Sequence, residues 1–170
     1  MPKPLKNEYP VYFKTYLDTL KEGRDLLENL ETSLERFEQI LYELKEEKYE
    51  YRYQDGKWTI KEVVQHLIDV ERVFVYRALR FSRKDIIPIP GFEENSYVEN
   101  YKINDRNFSN LLDEFCLLRR STLLMFQDFD KDVLDLQGTV DGNTFTVRAL
   151  GFICSGHVIH HLNVIEERYL

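Results

Sequence analysis

The chain has 170 residues, 43% hydrophobic and 31% charged, with 23 Lys and Arg against 30 Asp and Glu. The net charge of −7 and the lack of a basic stripe argue against nucleic-acid or anionic-membrane partners, both of which reward clustered Lys and Arg. The two cysteines are too few for a disulfide scaffold, no apolar run reaches the roughly 18 residues of a membrane span, and the N-terminus lacks the apolar stretch of a signal peptide, so a single cytoplasmic domain over residues 1–170 with reduced thiols is expected.

From Val11 to about Leu44 the apolar residues fall at helical spacing, among them Phe13, Tyr16, Leu17, Leu20, Leu26, Leu30, Leu34, Phe37 and Leu41, with a break predicted at Gly23. A charged stretch from Lys45 to Tyr53 ends in a turn at Gln54-Asp55-Gly56-Lys57. The second helix has a defined start, because Thr59 and Glu62 form a capping box, with Trp58 and Val63 at hydrophobic-staple spacing. It continues through Leu67, Ile68, Val73, Phe74 and Leu79 to about Phe81, with His66 in its second turn.

Residues 82–105 read as a long connection in which Pro88 and Pro90 forbid a continuing helix. Such a segment serves as a lid or wall of a binding site, or as a crossover between parallel neighbours of a bundle. The third helix runs from about Asn104 or Asp105 to Phe126. A hairpin-like Asp141-Gly142 turn lies between Thr139-Val140 and Thr144-Phe145, and Thr144 or Thr146 caps a last helix reaching about Tyr169. The expected fold is an all-α four-helix bundle, with a long crossover loop between its second and third helices and a short hairpin-like segment before the last one.

Three of the four histidines lie in Gly156-His157-Val158-Ile159-His160-His161. His157 and His161 are at i and i+4, one turn apart on one helix face, in a stripe with Leu150, Ile153 or Cys154, and Ile165. Two imidazoles at that spacing, with His66 from another helix, can share one metal ion and leave a coordination position open for water or substrate. The alternative is a set of core histidines that hydrogen-bond to one another. His160 shares a stripe with Gly156, Asn163 and Glu167 and is assigned to a supporting or surface role. Asp69 and Glu62 are the nearest helical partners for the second nitrogen of His66, or simply solvated charges. Cys154, one turn before His157, is a ligand, a nucleophile or a small buried residue. Gly151 and Gly156 inside the last helix suggest close approach of a neighbouring segment. No phosphate-cradling loop, nucleophile elbow or His-Glu-x-x-His motif is present.

These residues follow a familiar order: Gly56-Lys57-Trp58-Thr59, His66, Asp69 with Glu71-Arg72, Tyr76-Arg77-Ala78-Leu79-Arg80, Pro90-Gly91-Phe92, Tyr97-Val98, and Gly156-His157 through His160-His161 to Glu167-Arg168-Tyr169-Leu170. From about residue 13 onward the chain resembles the DinB/YfiT-like superfamily of metalloenzymes. The resemblance implies a four-helix bundle holding zinc or nickel on His66, His157 and His161, with pairing as a homodimer. It implies an apolar role for Cys154. For function it implies a small-molecule substrate and either a bacillithiol-like low-molecular-weight-thiol S-transferase, in which the metal generates a thiolate, or a hydrolase using a metal-activated water. A non-catalytic metal-binding stress-response module is the rival from another class. Arg77, Tyr97 and Arg106 are candidate substrate contacts near the rim, or else packing residues.

Overall fold

The computed structural model describes residues 2–101 and 103–170. After a 3-10 turn at Val11–Phe13, the short helix α1 spans Lys14–Leu17, and the first long helix, α2, spans Leu26–Leu41. The expected break falls where Gly23 adopts φ +81, a left-handed conformation open to glycine. Helix α2 then restarts on a capping box of its own, with the Asp25 side chain accepting the Glu28 amide at 3.0 Å and Glu28 accepting that of Asp25 at 2.7 Å.

Helix α3 spans Ile60–Ser82 and begins at the expected box, in which Thr59 Oγ1 accepts the Glu62 amide and Glu62 accepts the Thr59 amide. The connection that follows is not all loop. It contains the helix α4, Glu94–Asn100, and a 3-10 turn at Ile103–Asp105. Helix α4 has seven residues, buries none of them and lacks a side-chain cap, so neither periodicity nor a start signal betrays it in the sequence. Helix α5, Phe108–Gln127, starts later than Asn104 or Asp105 because Asn107 is the cap, its side-chain oxygen accepting the Ser109 amide at 2.8 Å.

A single turn, α6 (Lys131–Leu134), leads into strands β1 (Gln137–Val140) and β2 (Asn143–Thr146), which pair antiparallel with Val140 opposite Asn143. Asp141 (φ 47) and Gly142 (φ 74) make the two-residue turn, whose positive φ at both positions suits Asp-Gly. Thr146, rather than Thr144, caps the last helix α7, Val147–Arg168, by accepting the Ala149 amide at 3.0 Å. Ile89 of the crossover bridges in parallel to Val140, tying the connection to the hairpin.

The bundle is formed by α2, α3, α5 and α7, with α2 and α3 each packed against both α5 and α7. Two core clusters divide it along its length. One holds Leu26 and Leu30 of α2, Val70–Phe81 of α3, Phe126 of α5 and Val147–Cys154 with Ile159 of α7; the other holds Leu34–Leu41, Ile60–Ile68, Phe108–Cys116, Val158, Leu162 and Ile165. Helices α3 and α5 therefore run parallel, as do α2 with α7, and the two pairs oppose each other. The long crossover returns the chain from the end of α3 to the start of α5.

Arg119 joins all four helices. It is fully buried (0% exposed) and donates to both carboxylate oxygens of Glu71 at 2.7 Å, to the carbonyls of Leu30 and Cys154 at 3.2 Å each, and to Ser33 Oγ. Thr122 Oγ1 adds a bond to Glu71 at 2.9 Å. Every guanidinium donor is satisfied, which is what makes an ion pair tolerable in an apolar interior.

Candidate metal centre

His66 lies two turns into α3, on the side that faces α7, and is only 6% exposed. His157, 4% exposed, and the partly buried His161 sit one turn apart on the facing side of α7. Because α3 and α7 run in opposite directions, residues ninety-one positions apart meet: His66 Nε2 lies 3.0 Å from His157 Nε2. His161 Nε2 lies 3.1 Å from the same atom, and all three donor nitrogens fall within 4.8 Å of one another. Among the described residues no carboxylate or thiol joins this group.

The donor set fits a cation. Tetrahedral nitrogen ligands about 2.0–2.1 Å from zinc stand about 3.3 Å apart, close to the spacing found here. Three facing imidazole nitrogens cannot satisfy one another by hydrogen bonding, because one proton on His157 Nε2 serves only one neighbour at a time. Burial disfavours the charged rings. It pushes His66 down to about 4, and it holds His157 and His161 well below the usual histidine range, with neighbouring imidazoles adding to the shift. Neutral rings with lone pairs directed at a common point are what a divalent ion binds.

The rings are held by aromatic neighbours. Trp58 tilts against His66 at 4.7 Å between centroids, Tyr16 meets His157 edge-on at 5.2 Å, and Phe74 stands 6.1 Å from His157. All three histidines line one cavity of about 470 Å³, which also takes in Tyr12, Phe13, Phe92, Phe145 and Arg77. Its walls come from the N-terminal segment, the crossover and the hairpin. Gly156 permits this arrangement: a Cβ there would collide with the carbonyl oxygen of Tyr16 and sit 2.7 Å from its carbonyl carbon. At Gly151 an added Cβ would meet Leu26 and Phe126, each at 2.8 Å. Both helix glycines thus mark close approaches.

The remaining candidates are distributed as follows. Arg77 lines the cavity and is buried. Tyr97 packs against Phe92 and borders shallower recesses, and Arg106 is engaged by Glu114 and by Tyr101 Oη at 2.8 Å, so neither lines the histidine cavity. Arg106 is held away from the rim by its ion pair at the start of α5, whereas Tyr97 of α4 stays beside the wall, in a recess that it shares with Phe92 and Arg77. Asp69 accepts from Gln65 Nε2 at 2.9 Å, and Glu62 is taken up by the helix cap, so of the two readings open for them the structure shows local helix contacts and no bond to His66. His160 is half-buried, its ring 5.2 Å from Tyr16 and 5.1 Å from His161. Cys154 is buried in the core and lies outside the cavity lining, with burial pushing its thiol well up. The aromatic wall was missed in sequence. Tyr16 and Phe13 are spaced as helix-core residues, and nothing local distinguishes a wall from a core.

Residues 29–165 match the family model of the DinB superfamily. Among solved structures the chain is similar to YfiT of Bacillus subtilis, with a TM-score of 0.75 at 17% identity over 87% of this chain and 89% of that one. That protein is characterised as a probable metal-dependent hydrolase with an unusual four-helix bundle topology. The likeness shows the fold. No curated protein sequence matches the chain significantly. Among the described residues no helix is long and apolar enough to cross a membrane.

Proposed function

The chain belongs to the DinB superfamily, and on that premise we propose that it is a divalent-metal-dependent enzyme acting on a small organic molecule. His66, His157 and His161 would hold the ion, zinc or nickel. The observation that carries this reading is the convergence of three neutral imidazoles on an open cavity without a fourth ligand among the described residues. A structural metal site is closed by four protein ligands, whereas a catalytic one keeps a position free. The open cavity speaks against a purely structural module.

When bound, the ion supplies Lewis acidity at the free position and lowers the pKa of a thiol or a water placed there. The chain's own part is to keep three rings neutral by burial, to fix their orientation with Trp58, Tyr16 and Phe74, and to exclude bulk water with the aromatic wall. The leading reaction is S-transfer from a low-molecular-weight thiol such as bacillithiol to an electrophile. Among the described residues no carboxylate joins the three donor nitrogens, and the cavity's carboxylates, Glu94 and Asp141, come from the crossover and the hairpin turn. A thiol, whose free pKa of about 8.5 lies far below that of water, needs the least help to ionise. Hydrolysis is the second reading, favoured by the description of the Bacillus subtilis structure. The test is a side-by-side assay of zinc- and nickel-loaded protein with bacillithiol plus electrophiles and with esters and amides. Thiol consumption that survives His157→Ala would remove the transferase mechanism.

A further inference from the structure

Arg77 is the exception among the buried arginines. Arg119 is bonded on all sides, and even the half-buried Arg148 is paired, with Glu8 at 2.6 Å and Asp135 at 2.9 Å. Arg77 is buried too, 4% exposed on α3 at the cavity wall, yet no carboxylate among the described residues pairs with it and its Nε has no hydrogen-bond partner. Its guanidinium carbon lies 5.6 Å from the centroid of Phe74 and 5.5 Å from that of Phe92, between two rings of the wall. The cavity's carboxylates, exposed Asp141 and half-buried Glu94, leave it unpaired. Burial pushes its pKa down, opposed only by Tyr97. A guanidinium without an anion in an apolar setting is costly, and contacts with ring faces offset only part of that cost. An arginine fork is suited to a planar anion held by two parallel bonds.

We propose that Arg77 anchors the anionic end of the substrate, which is therefore an organic acid: a carboxylate carried on an apolar or aromatic body that fills the space between the wall and the histidines. This rests on the reading of the cavity as the substrate site, and it assigns the polarity of that site, with the acid group at Arg77 and the reacting centre at the imidazoles. Phe74 and Phe92 hold the guanidinium in place without neutralising it. A neutral analogue would leave the same donors unpaired, so discrimination between acid and amide is large.

The test uses phenylacetate and its neutral counterpart phenylacetamide, titrated calorimetrically into metal-free and zinc-loaded protein. In metal-free protein phenylacetate binds about tenfold or more tightly than the amide, and Arg77→Gln removes that preference while leaving zinc affinity in a chelator competition unchanged. Arg77→Lys, which keeps the charge without the fork, retains part of it and serves if the glutamine variant does not fold. Equal wild-type affinity for the two probes, no saturable binding of phenylacetate, or a preference that persists in Arg77→Gln overturns the proposal. Failure of the metal reading is seen separately, as a wild-type protein that takes up no zinc, and does not alter the metal-free comparison.

Discussion

The carbonyl of Tyr16 rests directly against Gly156, the residue before a candidate ligand, so the N-terminal segment and α7 are in contact at the floor of the cavity. Elsewhere in a helix, Gly→Ala stabilises by about 1 kcal/mol. Here the added methyl meets backbone, which cannot rotate away. Gly156→Ala is expected to destabilise the fold by about 1–3 kcal/mol and to expose residues before Gly23 to limited proteolysis. A rise in the melting temperature would show that the close approach has no energetic weight.

The histidines are expected to separate into two classes. Alanine at His66, His157 or His161 lowers zinc affinity by about 100-fold or more, whereas His160→Ala changes it by only a few-fold. Competition against a chromophoric chelator measures this. Equal losses at His160 and His161 would show that the wrong face of α7 has been assigned.

Arg119 and Glu71 are expected to behave as a unit. Arg119→Met strands a buried carboxylate and costs about 3–5 kcal/mol, about 10 °C or more in melting temperature for a chain of this length. Replacing both residues by methionine costs less than either single change, because no unpaired charge remains. A double variant worse than the sum would mean that geometry, not charge, dominates the site.

Glu8 gives the pH dependence a defined sign. Burial pushes its carboxyl up, but the bonds from Arg148 and Thr146 outweigh this and leave it below the ordinary value of 4.5. The folded state thus holds the proton less tightly than the unfolded chain, so the contribution is fully present above pH 4.5 and is lost as pH falls through the folded pKa. Melting curves of wild type and Glu8→Gln are expected to differ at neutral pH and to converge in acid. A constant gap between pH 7 and pH 3 would rule out this ionisation as the cause.

Much of the bundle was legible because its signals are local. Thr59 with Glu62, Asp141 with Gly142, and the i, i+4 spacing of His157 and His161 each impose a geometry through neighbours in the chain. Tertiary features were not legible. Glu71 follows Leu67 on an inward stripe of α3, but nothing near it in sequence indicates that Arg119, forty-eight residues later, completes it. Asp69 was drawn toward the site by its spacing from His66 and Arg106 by the long crossover before it, and in three dimensions they are taken by Gln65 and Glu114. Tyr16 and Phe13 have helical spacing whether they fill a core or face a cavity, and only the packing of their segment on Gly156 decides which.

The parallel bridge between Ile89 and Val140 couples the crossover to the hairpin, outside the four-helix frame. The imidazoles belong to the frame, while most of the chamber's outer surface belongs to these connections. Insertions or exchanges in the connections can therefore reshape what the chamber admits while the helices that carry the nitrogens stay as they are. Descendants of one ancestral scaffold could in this way diversify their chemistry by editing loops.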